Sequence, residues 1–203
     1  LVARGGFAMP PDPVGAVPGD PLIAGHALRT IPPREVAGNI DIKQLNPGTS
    51  IYIPVSAPGG LFSVGDVHFA QGDSETCGTA IELRSESTFE FHLHKGAAAS
   101  KGIRSFYLAR TGTDAVPYRS SPGRFVAIPG MPITADDENH GGDATLAAKN
   151  ALLGMIEYIV REHGYTRQQA YAICSVAVDL KVSELVDVPN FIVTAFLPLE
   201  IFV

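Results

Sequence analysis

Asp66, His68, Gln71, Asp73, Glu75, Cys77 and Glu82 fall within the nineteen positions from Val64 to Glu82, punctuated by Gly65, Gly72 and Gly78. Carboxylates and a neutral imidazole brought together suit either a divalent cation or proton transfer. With Phe62 to Phe69 read as a strand, Asp66 and His68 stand two apart and point to one face. The turn from Ala70 to Gly78 then carries Asp73 and Glu75 beside them, and Gly78 to Arg84 returns as a second strand bearing Glu82. Asp66 and His68 are candidate metal ligands or direct catalytic groups, Glu75 and Asp73 are reserve ligands, and Glu82 is the candidate general base and acid. A competing reading exists, because Gly-Asp and Asp-Ser pairs are ordinary turn formers and a strand histidine is often a hydrogen-bonded structural residue.

Elements must position these groups. Residues 1 to 30 hold Pro10, Pro11, Pro13, Pro18 and Pro21 with Gly15 and Gly19, which forbids regular helix or a central strand and predicts an extended arm. Residues 31 to 203 follow as the domain proper. Gly38-Asn39 reads as a turn into a short strand, Ile40 to Lys43, with Asn39 and Asp41 on one face; this is turn chemistry on an exposed edge or a flank of the site. Ser50 to Val55 is β-rich. Ser87 to His94 has the cleanest strand alternation in the chain, with Phe89, Phe91 and Leu93 on one side and Glu90, His92 and His94, read as a solvated face, on the other. Arg104 to Ala109 and short runs between Asp114 and Ile128 read as further strands, and Ala135 to Gly142 as a solvated polar loop.

A helical period begins after Asp143, a plausible N-cap; Leu146, Leu153, Ile156 and Val160 recur at helix spacing for about five turns, and Gly164 supplies the C-terminal left-handed residue. Thr166 to Gln169 is a capping box before a second short helix, Ala170 to Cys174. Cys174 sits on its apolar stretch and reads as packing. Val176 to Val182 and Phe191 to Leu197 return to strand period, and the loop between them carries Glu184, Asp187 and Asn190 around Pro189. Many short strands, a helix pair, then strands again predict an α+β, mainly β fold: antiparallel sandwich- or barrel-like sheets with a C-terminal helix pair.

Composition narrows the function. A net charge of −6 with no run of like charges argues against nucleic acid. No apolar run approaches the ~20 residues of a membrane span. Two widely spaced cysteines, Cys77 and Cys174, suggest no disulfide framework, and a cytoplasmic setting is the default. The chain begins at Leu1 and runs at once into Gly- and Pro-rich sequence, which reads as a fragment or a processed chain.

Three separated segments, in one order, resemble the acetamidase/formamidase family. They are Pro32 to Lys43 (PPREVAGNIDIK), Gly65 to Glu82 (GDVHFAQGDSETCGTAIE) and Val186 to Asn190 (VDVPN). The resemblance implies members about twice this length with these motifs in the C-terminal half, so that an N-terminal half, absent here or on another chain, contributes to the site. It implies hydrolysis of a small aliphatic amide such as formamide or acetamide, with cyclic γ-lactams as substrates of some relatives. Such hydrolysis needs an activated nucleophile, stabilisation of an oxyanion and a proton for the leaving nitrogen. A divalent metal, zinc first and calcium as the alternative, would serve the first two. Asn39, Asn190 and Gln71 are the candidates for holding the substrate amide. No Gly-x-Ser-x-Gly elbow is present, and a Cys77 nucleophile with Glu82 and a lysine from elsewhere is the rival scheme. A reading from another class is a non-catalytic binding module whose acidic cluster holds a structural Ca²⁺. Arms and exposed strand edges predict a homo-oligomer.

Overall fold

The computed structural model describes residues 30–112, 123–136, 138–188 and 190–202. The expected arm over residues 1–30 and the strands expected around Pro117 therefore lie, but for residue 30, outside the described residues.

Five strands form one open antiparallel sheet: β1 (Ser50–Tyr52), β4 (Tyr107–Arg110), β5 (Phe125–Gly130), β6 (Asp179–Glu184) and β7 (Ile192–Pro198), in the order β1-β4-β5-β7-β6. A separate two-stranded ribbon pairs β2 (His68–Ala70) with β3 (Ile81–Glu82). The helices are a single turn α1 (Ala97–Ser100), then α2 (Ala144–His163) and α3 (Arg167–Ala177). The mainly antiparallel α+β class is as the sequence pattern predicts, but the sheet ends at β1 and β6 and does not close into a barrel. No helix among the described residues is long and apolar enough to cross a membrane.

The period of two sorts side chains to the two faces of the sheet. Ala109, Val126, Ala195 and Leu197 face α2 and α3, where Met155, Ile156, Ile159, Ala170 and Cys174 complete one core. Leu108, Phe125, Ala127, Ile192 and Phe196 face the other way, into a second core closed by Ile42, Phe106 and Met131. This second face is covered by irregular chain carrying Ala37, Ile40 and Ile53, with Ile51 of β1 beside them. That irregular layer is where the chemistry sits.

The helix ends follow their capping residues. Asp143 accepts a hydrogen bond from the Leu146 amide at 2.9 Å, Gly164 closes α2 at φ 72°, and Thr166 with Gln169 forms a complete capping box for α3. The buried residues of α2 are Ala147, Ala151, Met155, Ile156 and Ile159, so that of the helix-spaced apolar residues Ile156 is buried while Leu153 stays 37% exposed. Backbone contact explains the choice of small residues: a Cβ on Gly130 would lie 2.2 Å from the Ala147 carbonyl oxygen and 2.3 Å from the Ala151 nitrogen.

Two expected strands are not strands. Ile40 to Lys43 joins no sheet; it turns tightly, with the Ile42 amide bonded to the Ile40 carbonyl at 2.8 Å and Leu45 to Ile42 at 2.8 Å. Ser87 to His94 is extended but pairs with no ladder, and Phe91 and Leu93 are 69% and 71% exposed. Of the strand expected over Phe62 to Phe69, β2 keeps the last two residues and adds Ala70.

A candidate active site of buried carboxylates around one histidine

Three loops meet at the edge of the sheet beside β6. The central loop is fastened there through Ser74: its amide bonds the Ser183 carbonyl at 3.0 Å, its hydroxyl the Val182 carbonyl at 2.9 Å, and its carbonyl accepts from the Leu185 amide at 3.1 Å. The next residue, Glu75, is thereby carried inward and buried. Asp41 arrives from the first loop, and its amide donates to the Glu184 carboxylate at 3.1 Å. Asp187 arrives from the loop after β6 and accepts from the Asn39 side-chain amide at 2.8 Å.

His68 stands at the centre. Its Nδ1 lies 3.8 Å from Glu75 Oε1, 3.9 Å from Asp41 Oδ1 and 2.9 Å from Gln71 Oε1. Its Nε2 lies 3.5 Å from Asp66 Oδ1, and is buried with no hydrogen-bond partner. Three trios bring one ligand atom from each member within 4.8 Å of the others: Asp41, His68 and Glu75; Asp66, His68 and Glu82; Asp41, Glu184 and Asp187.

Asp66 and His68 do meet, but not by strand alternation. Asp66 has φ 58°, outside the β region, so a turn and not a pleat brings it to the imidazole. Non-glycine residues with positive φ cluster here generally: of seven among the described residues, Asn39, Asp66, Ser74, Glu75 and Asp187 belong to these loops. Backbone held in sparsely populated conformations is characteristic of functional sites.

The charges are out of balance. Burial, followed by the neighbouring Asp41 charge, pushes the Glu75 carboxyl up to about 7. Glu184, fully buried, is pushed up to about 9 by burial first and then by Asp41, Asp187 and Glu75, against the opposing hydrogen bond from the Asp41 amide. Burial likewise raises Asp41 and Asp187. For His68 burial acts downward, but the Gln71 hydrogen bond and the charges of Asp41, Asp66 and Glu75 outweigh it and raise the imidazole. Four carboxyls pushed upward by burial, one Glu184 oxygen without a partner and an unpartnered imidazole nitrogen describe a place where a cation would supply the missing charge. The residues therefore fit a divalent metal, and a donor set mixing carboxylate oxygen with imidazole nitrogen suits zinc better than calcium.

Other expected residues take different places. Glu82 is exposed at the ribbon and accepts from the Thr79 hydroxyl at 2.9 Å. Asp73 is held by Lys43 at 2.9 Å and by Gln44 at 3.2 Å, which directs it to loop anchoring. Asn190 is fully buried and bridges two loops, donating to the Pro33 carbonyl at 3.1 Å and accepting from Asn139 at 2.7 Å. Asn39 orients Asp187 and also donates to the Ile31 carbonyl. Gln71 has both ends of its amide engaged, one by His68 and one by the Asp41 carbonyl. Exposed Cys77 has its thiol against the Thr79 carbonyl, and Cys174 is buried, with burial pushing its thiol up. His92 is paired with Glu90 at the surface, as a solvated face predicts.

Asp41, Glu184 and Asp187 were not singled out as ligands by spacing. Asp41 lies more than twenty residues before the central motif and Glu184 more than a hundred after it, and no periodicity links them. The signal that existed was the position of Asp41 inside the first matching segment and of Asp187 inside the third; Glu184 lies two residues before the third.

Those segments prove decisive. The profile of the Acetamidase/Formamidase family matches residues 1–203. The chain belongs to this family. Among curated members of the acetamidase/formamidase family, it is 34% identical over 182 residues to a formamidase of Methylophilus methylotrophus, covering 88% of this chain and 43% of that one. It is 39% identical over 166 residues to an acetamidase of Mycolicibacterium smegmatis, covering 78% of this chain and 39% of that one. The chain thus spans about two-fifths of the length of these relatives. The fold is similar to that of crystalline acetamidases from Yersinia enterocolitica (TM-score 0.60, 22% identity, 87% of this chain and 46% of that one) and Bacillus halodurans (TM-score 0.59, 22% identity, 88% and 52%).

Proposed function

We propose that this acetamidase/formamidase-family chain carries the hydrolytic site for a small amide, of the formamide or acetamide type, converting amide and water to carboxylate and ammonium. The observation that carries the reading is the packing of Asp41 and Glu75 within 4 Å of one imidazole, beside an unpartnered nitrogen of the same ring.

His68 with Asp66 and Glu82 would hold a divalent cation, zinc on donor chemistry. Such an ion supplies Lewis acidity, acidifying water and polarising the amide carbonyl. The rest is the work of side chains. Glu75, buried and pushed up to about 7, is matched to accept a proton from the attacking water near neutral pH and to return it to the leaving nitrogen. Burial sets that affinity first and the neighbouring Asp41 charge adds to it, and Asn39 holds Asp187 by a hydrogen bond. Glu82, at the exposed rim, is the second candidate for the proton transfer and is retained on its place in a His68-centred trio. γ-Lactams fall within the same chemistry, since the bond broken is the same.

The partner is the remaining length of a family polypeptide. Leu61, Phe62, Val64, Phe69, Ile81, Phe91 and other apolar side chains stand exposed around the ribbon, with Phe62 packed edge-on against Phe89 and Phe91. Relatives more than twice this long have the material to cover that face. Two free cysteines, one of them exposed, support a reducing, cytoplasmic setting.

The test is ammonia release from formamide, acetamide and a γ-lactam, by the chain alone and with the family's N-terminal portion, before and after chelation. Activity lost on chelation and restored by zinc is the expected outcome. Glu75→Gln should lower kcat by about 10²–10⁴-fold with zinc still bound, whereas Glu82→Gln should act by weakening zinc binding. Full turnover by metal-free protein would overturn the cation assignment and bring forward Cys77. An inert protein that binds Ca²⁺ in preference to zinc would support the binding-module reading instead.

A further inference from the structure

Both nitrogens of His68 lie close to carboxylates, Nδ1 to Asp41 and Glu75 and Nε2 to Asp66, so distance alone does not say which one carries an electron pair. Gln71 decides it. A carbonyl oxygen can only accept, so the end of the Gln71 amide that meets the Asp41 carbonyl must be the NH₂ group. The other end, 2.9 Å from His68 Nδ1, is then the oxygen, and it can only accept as well. A neutral imidazole facing that oxygen must hold its hydrogen on Nδ1. The remaining nitrogen, Nε2, is the one that is buried and without a hydrogen-bond partner.

We infer that Gln71 is a positioning residue that locks His68 in the Nδ1–H tautomer, so that Nε2 is the donor atom and His68 serves the trio with Asp66 and Glu82, not the one with Asp41 and Glu75. The orienting chain runs from the Asp41 backbone through the Gln71 amide to the ring, the pattern by which an outer hydrogen bond fixes a ligating histidine. It leaves the Asp41 and Glu75 carboxyls free of imidazole coordination while the same ring stands beside both. Gln71 is two residues from Asp73, which Lys43 and Gln44 anchor, so its backbone is held on the loop side as well.

The inference rests on the hydrolase reading for the purpose of the ion, but its test needs no substrate. Long-range proton–nitrogen correlation spectra of the ¹⁵N-labelled chain, in alkaline buffer where the imidazole is neutral, report which ring nitrogen carries the hydrogen. His68 is expected as Nδ1–H, and added zinc should perturb Nε2. Gln71→Met should release the lock, giving a mixed tautomer and zinc affinity about 10–100-fold weaker by calorimetry. Gln71→Glu, which keeps an accepting oxygen toward Nδ1, should restore the Nδ1–H signature. An Nε2–H ring in the unsubstituted chain, or zinc acting on Nδ1, would overturn the inference without any variant having to fold. Failure to hydrolyse amides with the Nδ1–H signature intact would overturn the proposed function and leave this assignment standing.

Discussion

At the scale of the residue, Glu184 is fully buried, forms no ion pair among the described residues, and has its carboxyl pushed up to about 9 by burial. Glu75, pushed up to about 7, repeats the effect in milder form. Both start from 4.5 in the unfolded chain, so between that value and their folded values the folded state binds protons that the unfolded state has released. Stability from this source is complete below about pH 4.5 and is lost as pH rises through 7 and 9. Thermal melts of the chelated protein should therefore show a falling midpoint from about pH 5 to 9. Glu184→Gln should flatten that slope, and zinc should reverse part of it. A chelated protein whose midpoint rises over the same interval would contradict the burial of these groups.

At the scale of the element, Gly130 sets how closely β5 and α2 can approach. Its missing side chain is what admits the α2 backbone at Ala147 and Ala151. Gly130→Ala should cost about 3 kcal/mol, since the atoms in the way are backbone, and denaturant titration would read it; a loss under 0.5 kcal/mol would mean that the helix slides freely. The helices were the most legible part of the sequence because capping is local: Asp143, Gly164, Thr166 and Gln169 announce their own positions. The row facing the sheet is legible only in part: Ile156 is buried as its spacing predicts, but Gly130, fourteen residues before the helix, selects alanine over leucine at Ala147 and Ala151. Ser87 to His94 was misread for the opposite reason, since alternation is necessary for a strand but only a hydrogen-bonded neighbour makes one. In the site, the central motif gave Asp66, His68 and Glu75, whereas Asp41, Glu184 and Asp187 depend on loop closure that no short-range pattern encodes.

At the scale of the molecule, one side is finished and another is open. The central strands β4, β5 and β7 are buried on both faces, while the ribbon and the chain around it present Leu61 at 78%, Phe69 at 75% and Phe91 at 69% exposure. Contiguous exposed aromatics of this kind mark an interface. Co-expression with the N-terminal portion of a family member should yield a stable complex in which hydrogen exchange across residues 61–93 slows, and Phe91→Glu should abolish it. Exchange that slows in the isolated chain as its concentration rises would assign the face to a second copy instead.

The fastening of Ser74 to the rim of the sheet has one more consequence. β6 is a terminal strand, and the chain around Ser74 occupies the hydrogen-bonding groups of Ser183 and Leu185 that would otherwise point into water. Unpaired strand edges recruit other strands. Release of that loop would scatter Glu75 from His68 and, in the same motion, uncover a template for intermolecular pairing. Inactivation and aggregation of this protein should then share a single onset.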